Sequence, residues 1–441
     1  MASPAPLSGL DWVLVGAYFI MVAVVGLACY LKERSAQHQS AQADGFFLAG
    51  RSMSWLPIGL SLFVSNIGSE HLVGLAGAAA HGGLAVGIYE WSAGLQLLVL
   101  GYLFAPIYLG AEISTLPEYL ERRFSRRLRG LYSVATLIIY VFTKLSVSVF
   151  SGATVLRAIF GWQLMPAAVG LVALTALYTV LGGLAAVIVT DMAQAVILLL
   201  GALCMTLIGL SRVGGLAGLR AAPPSEALNQ LSNAEWERFF HLYRPPDDPL
   251  LPTLGIVLGQ TIAGIWYWCL DQAIVQRVLS AKSLQHAQAA TILAGFLKIL
   301  PVFIMVIPGI IARRLYPEEL EDSNQALPVM MKRLLPSGVL GLVLAATIAA
   351  CMSSLDSVFT AAASVFCLDL YKPYWKPGAS DRELVRVGRI FCALLALVTL
   401  LWMPVINLLS DQVQRRCRPS CRRRRRRRRR RTRSPLPSPP H

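Results

Sequence analysis

Trp266-Tyr267-Trp268-Cys269-Leu270-Asp271-Gln272 lies inside an apolar stretch that begins near Leu251, and Gln276-Arg277 follows at once. A lipid-facing helix would carry Leu and Val there. Polar and ionisable groups at membrane depth are costly, so this segment marks a site of function rather than a lipid face.

The surrounding 441 residues are 55% hydrophobic and 15% charged, with a mean hydropathy of +0.57. That composition places the chain among integral membrane proteins. Ten apolar runs long enough to cross the hydrocarbon core fall at roughly 11–31, 54–80, 83–109, 131–160, 164–181, 184–210, 251–278, 289–312, 339–370 and 387–409. None shows the short alternating period of an outer-membrane barrel, so an all-α integral membrane bundle is predicted. No basic residue precedes the first run, whereas Lys32 and Arg34 follow it, unlike a cleavable signal. The first span is therefore expected to be retained, with the N-terminus outside. Arg122, Arg123, Arg126, Arg127 and Arg129 then fall on the cytoplasmic side, as the positive-inside rule requires.

The formal charge of +16 would by itself favour a nucleic-acid or anionic-membrane partner. Fourteen arginines between Arg415 and Arg433 carry it, and without them the charge is about +2. The chain divides into a membrane domain, 1–413, and an Arg/Ser/Pro-rich tail, 414–441, expected to be disordered because it cannot bury a core. A lipid bilayer is the expected partner, and nucleic acid is not. Ten spans from an outside start would leave the arginines outside, where they are unfavoured. Cys29, Cys204, Cys269, Cys351, Cys367 and Cys392 lie in or beside spans, and Cys417 and Cys421 in the tail. Their spacing suggests neither a disulfide framework nor a metal centre.

The second span carries a similar interruption, Ser65-Asn66-Ile67-Gly68-Ser69-Glu70-His71, five spans before the Trp266 segment. Broken helices at equivalent places in two five-helix repeats point to a transporter with an inverted repeat and a midplane binding site. Spans two to six would form the first repeat. The second would need spans seven to eleven, of which the chain supplies seven to ten.

Other polar residues at depth are Glu90, Lys144, Asp191, Lys298, Ser353, Ser354 and Asp356. Each also has a structural reading. Asn66 could pack or cap a kink, and His71 could be a satisfied core histidine. Glu90 and Lys298 could neutralise each other, and the two serines could donate to their own helix. The three consecutive aromatics are more specific, since a flat ring suits the apolar face of a sugar.

In this order, the stretches Ser65 to His71, Tyr89-Glu90-Trp91, Leu116-Pro117-Glu118-Tyr119-Leu120, Phe142-Thr143-Lys144, Gly182 to Ile188, Trp266 to Gln272 and Met352-Ser353-Ser354-Leu355 strongly resemble the sodium/solute symporter family. Within it they resemble the sodium–glucose cotransporter branch, over roughly residues 10–412. The resemblance implies a LeuT-like inverted-repeat core with one extra N-terminal helix. It implies sodium-coupled transport of a glucose- or galactose-like hexose across the plasma membrane by alternating access, with no enzymatic chemistry and no cofactor beyond the coupling ion. Alternatives are a sodium/myo-inositol cotransporter or a membrane protein that senses sugar without moving it.

Carried over residue by residue, the resemblance assigns Asn66, His71, Glu90, Trp268 and Lys298 to the sugar site and Tyr267 to a ring-stacking inner gate. It assigns sodium to the carbonyls of Val64, Ile67 and Ala350 with the hydroxyls of Ser353 and Ser354. Ser65 and Asp191 resemble part of a second sodium site, although Asp356 stands where members that move two ions carry a hydroxyl, leaving stoichiometry open. Gly264 lacks a side chain that often reaches a sugar hydroxyl, and Glu70 replaces a glycine found in many animal members. Beyond Gln414, arginines stand where the family continues into its last core helix, so a truncated or frameshifted chain that does not transport is expected.

Overall fold

The computed structural model describes residues 7–36, 42–221, 233–248, 250–320 and 325–431. The described residues form a helical bundle: α1 (Gly9–Ala36), α2 (Trp55–Ser65), α3 (Ser69–Gly82), α4 (88–110), α5 (Leu116–Arg123), α6 (Arg126–Phe160), α7 (Leu164–Val213), α8 (Asn233–Arg238), α9 (Thr253–Ile265), α10 (Gln272–Leu279), α11 (Leu284–Leu315), α12 (Ala326–Leu334), α13 (Val339–Trp375) and α14 (Asp381–Arg431). Eight continuous helices in it are long and apolar enough to cross a membrane. The ten predicted spans are recovered when α3 and α4 are parted near Gly83, α7 is divided at Gly183, and α2 is joined to α3 across 66–68.

Two glycines make those divisions. Gly183 has φ +52° and ψ −155°, and a Cβ there would come within 2.6 Å of the Phe46 carbonyl. Gly83 has φ +73°, and a Cβ would meet the backbone of Phe239 at 2.4 Å. Both positions need glycine twice over, for the left-handed backbone and for the close approach.

The two interrupted helices are broken as their residues suggest. After Ser65 the chain leaves the helix, and α3 restarts behind Gly68, whose backbone is extended at φ −82° and ψ 176°. α9 runs through a wide turn, Trp266–Leu270, and stops at Asp271, also extended at φ −85° and ψ 125°. Asp271 then caps α10 by accepting from the Ala273 N–H at 2.9 Å. The largest helix-to-helix contact joins α7 to α13, and α11 packs along α2. α13 is buried along nearly the whole of Val339–Ser364, whereas α1 is largely exposed, which sets α13 at the centre.

The backbone of α14 runs as helix from Asp381 to Arg431. Residues 432–441 lie outside the described residues.

Candidate functional site

Broken helices expose backbone groups that must find partners inside the protein. At the second break those partners are tyrosines. Tyr108 donates to the Cys269 carbonyl and Tyr132 to the Leu270 carbonyl, both at 2.9 Å. Tyr140 donates to Asp271 Oδ1 at 2.9 Å, and Lys144 Nζ lies 2.5 Å from Asp271 Oδ2. Gln272 Oε1 accepts from the Leu116 N–H at 2.9 Å, tying the break to the start of α5. A small, shallow recess adjoins this break, lined by Tyr132, Tyr140, Trp266, Asp271 and Gln272 among others.

The six residues expected at the sugar site converge. Lys298 is buried where α11 loosens, and its ammonium donates to Asn66 Oδ1 and to Glu90 Oε2, the latter at 2.9 Å. His71 Nε2 lies 2.8 Å from the other oxygen of Glu90. The Lys298 ammonium sits 5.4 Å from the centre of the Trp268 ring. Tyr267 meets Trp268 edge-on at 5.2 Å, hydrogen-bonds Asn66, and presents its face to Lys144 at 4.9 Å. Four chain segments distant in sequence thus form one ring of donors, acceptors and aromatic faces, closed on itself. The Glu90–Lys298 ion pair is thus present at 2.9 Å.

Beside this ring, Ser353 and Ser354 of α13 reach backbone carbonyls at the end of α2. The Ser353 hydroxyl lies 3.0 Å from the Ala350 carbonyl and 3.3 Å from the Val64 carbonyl. Ser354 Oγ is 3.5 Å from the Ser65 carbonyl, and the Ile67 N–H donates to the Val64 oxygen at 2.9 Å. Ser353 therefore both bonds back to its own helix and spans to the first break. Carbonyl and hydroxyl oxygens are the donor type a hard monovalent cation takes.

Asp191 is placed differently. It is fully buried and paired with Arg277 at 3.0 Å, and Ser61 donates to it at 2.5 Å. Arg277 also donates to Ser61 at 2.6 Å and Ser357 at 2.5 Å, while Tyr178 donates to Asp356. A guanidinium already answers the Asp191 charge. For the three tyrosines and Gln96 the sequence signal is that each is polar within an apolar run, while Arg277 stands just after the Trp266 segment. Gln96 is explained by Gly264, because a Cβ there would lie 2.1 Å from Gln96 Oε1. The carboxamide, which donates to the Gln260 carbonyl at 3.0 Å, fills the place of the missing side chain.

Residues 46–415 match the model of the sodium:solute symporter family. The chain belongs to that family. Its similarity to curated symporters includes 42% identity over 433 residues to the sodium/myo-inositol cotransporter of Homo sapiens, covering 91% of this chain and 60% of the relative. It is also 42% identical over 423 residues to sodium/glucose cotransporter 4 of Danio rerio, covering 91% and 64%. The chain thus spans about three fifths of the length of the curated symporters it matches. The substrate-bound, outward-open structure of a sodium-coupled sialic acid symporter superposes with a TM-score of 0.80 at 22% identity, covering 91% of this chain and 83% of that one. The fold is accordingly the LeuT-like inverted-repeat fold, in a multi-pass membrane protein.

Proposed function

We propose that the protein carries out sodium-coupled symport of a neutral polyhydroxylated solute, a hexose or a polyol such as myo-inositol, across the plasma membrane. The observation that carries this reading is the convergence of Asn66, His71, Glu90 and Lys298 on Trp268 and Tyr267, beside an all-oxygen set at the same helix break. The names of the curated relatives, for myo-inositol and for glucose, agree with it.

In this reading the solute lays an apolar face on Trp268 and exchanges its hydroxyls for the bonds that Lys298, Asn66 and Glu90 make to one another. Tyr267 closes over it as a gate. Sodium takes the carbonyls of Val64, Ile67 and Ala350 with the hydroxyls of Ser353 and Ser354, replacing the serine-to-carbonyl bonds and fixing the unwound segment beside Asn66. Because both sites share that segment, each ligand tightens the other, and the coupling is equal in both directions. Movement of the broken helices against the rest of the bundle then exposes the site to alternate sides. We assign Asp191 and Ser65 to the scaffold, since Arg277 supplies the positive charge there, and so propose one sodium.

The test is uptake of labelled glucose and myo-inositol by cells expressing the 441-residue chain, in sodium and in choline medium. Uptake in sodium that falls at least tenfold in choline and in K298A is expected from the assembled site, and it would overturn the loss of transport that the arginines beyond Gln414 imply. Uptake unaffected by sodium, or by K298A, would overturn the reading.

A further inference from the structure

We propose that Glu70 makes this pocket select neutral, hydroxyl-bearing ligands against carboxylates, by holding its own carboxylate where an anionic ligand would sit. The proposal rests on the reading of the pocket as a polyol site and names the ligand class that it refuses.

The start of a helix offers unpaired N–H groups and the positive end of a dipole, and broken helices at membrane depth use such ends to hold anionic ligand groups. α3 begins beside Asn66 and His71 and has no side-chain cap at Gly68. The N–H groups of His71 and Leu72 both go to the Gly68 carbonyl, each at 3.0 Å, which leaves those of Ser69 and Glu70. Glu70 folds back onto this end. Its carboxylate accepts from its own backbone N–H. A Cβ on Gly68 would lie 2.3 and 2.4 Å from the two carboxylate oxygens, so the carboxylate occupies the space directly over Gly68.

The other carboxylates of the cluster have cations. Lys144 serves Asp271 at 2.5 Å, and Lys298 serves Glu90 at 2.9 Å. Among the described residues, Glu70 makes no ion pair, although Ser148 hydrogen-bonds its carboxylate and its charge reaches His71 and Lys144. Its Oε2 is buried and has no hydrogen-bond partner among them. A second carboxylate arriving here would find the space over Gly68, at the positive end of α3, already held by the Glu70 carboxylate. A hydroxyl would instead donate to Oε2 and satisfy it. One residue thereby both refuses anions and accepts a polyol.

The experiment measures melting of the purified full chain in sodium at pH 7, titrated with glucose, myo-inositol and glucuronate, the last being a sugar ring bearing a carboxylate. The wild type is expected to bind glucuronate at least tenfold more weakly than the better neutral ligand. E70Q, close in shape and uncharged, should narrow that gap at least tenfold, mainly by tightening glucuronate, and E70G should do the same. Equal binding of glucuronate and neutral ligand by the wild type overturns the proposal without any variant. So does unchanged discrimination in E70Q or E70G. If no sugar shifts the wild-type melting curve, the polyol reading itself falls. Glu70 is then judged with acetate, which should bind E70G at least tenfold more tightly than wild type, and failure to do so overturns the proposal as well.

Discussion

Gly264 has no side chain, and the space above it belongs to Gln96, whose Oε1 is buried without a partner among the described residues. The pair behaves as one unit, with the short residue on α9 and the long one on α4. An alanine at 264 must push the carboxamide aside, since its Cβ would sit 2.1 Å from Gln96 Oε1. Displacing a buried amide from its bond to the Gln260 carbonyl costs about 1–3 kcal/mol. G264A should therefore lower the melting temperature and weaken neutral-ligand binding, and Q96A combined with G264T should recover more than half of that affinity. Equal melting and affinity in G264A and wild type would show that the two positions do not share this space. The sequence displays a glycine and a glutamine 168 positions apart, and nothing in either announces the other. Asn66, His71, Glu90, Trp268 and Lys298 were legible because a polar residue at membrane depth is conspicuous. Gln96 is equally polar, but its role depends on an absence in a distant helix.

The broken helices are elements whose breaks were written in their residues. Asn66 and Gly68 in one, Asp271 and Gln272 in the other, interrupt apolar runs with groups that cap or unwind. What holds the breaks open comes from elsewhere, through Tyr108, Tyr132 and Tyr140 on α4 and α6. The loop that carries α8 behaves similarly. Trp236 is buried against Phe239 at 5.2 Å, the Phe239 carbonyl accepts from the Leu84 N–H at 2.7 Å, and Arg244 donates to the Gly82 carbonyl at 3.0 Å. The loop thereby grips the junction between α3 and α4. Within it, burial disfavours the charged form of Asp248, but the N–H groups of Leu250 and Leu251 and the cations of Arg238 and Arg244 outweigh this and hold its carboxyl below the ordinary range. A depressed folded value means that the stabilisation is present above the unfolded value near 3.8 and is lost as pH falls through it towards the folded one. Amide protection factors in 233–248 should thus hold from neutral pH to about 4 and fall below it. D248N should exchange faster at neutral pH with no further acid step. An acid step persisting in D248N would assign the effect to another group.

Across the whole molecule, Arg277 binds together α10, α2, α7 and α13 through Ala273, Ser61, Asp191 and Ser357. Neither it nor Asp191 has exposed side-chain surface. Removing one partner of such a pair leaves an unanswered buried charge and costs about 3–5 kcal/mol. R277M should melt well below wild type, and R277M with D191N should melt above R277M alone, by calorimetry or scanning fluorimetry. Equal melting of the single and double variants would show that Asp191 does not depend on Arg277. The amino-acid sequence by itself determined that this is a multi-pass helical membrane protein with two broken helices bearing aromatic and polar groups. Lipid tolerates few backbone solutions and penalises each buried polar group, so runs and their interruptions are legible without neighbours. Only the tertiary structure decided which buried charges neutralise one another. Arg277 answers Asp191, Lys144 answers Asp271 and Lys298 answers Glu90, while Glu70 turns back on its own helix. Pairing depends on distances of a few ångströms between segments as much as 240 residues apart, and in a medium of low dielectric those distances set which groups remain for a ligand.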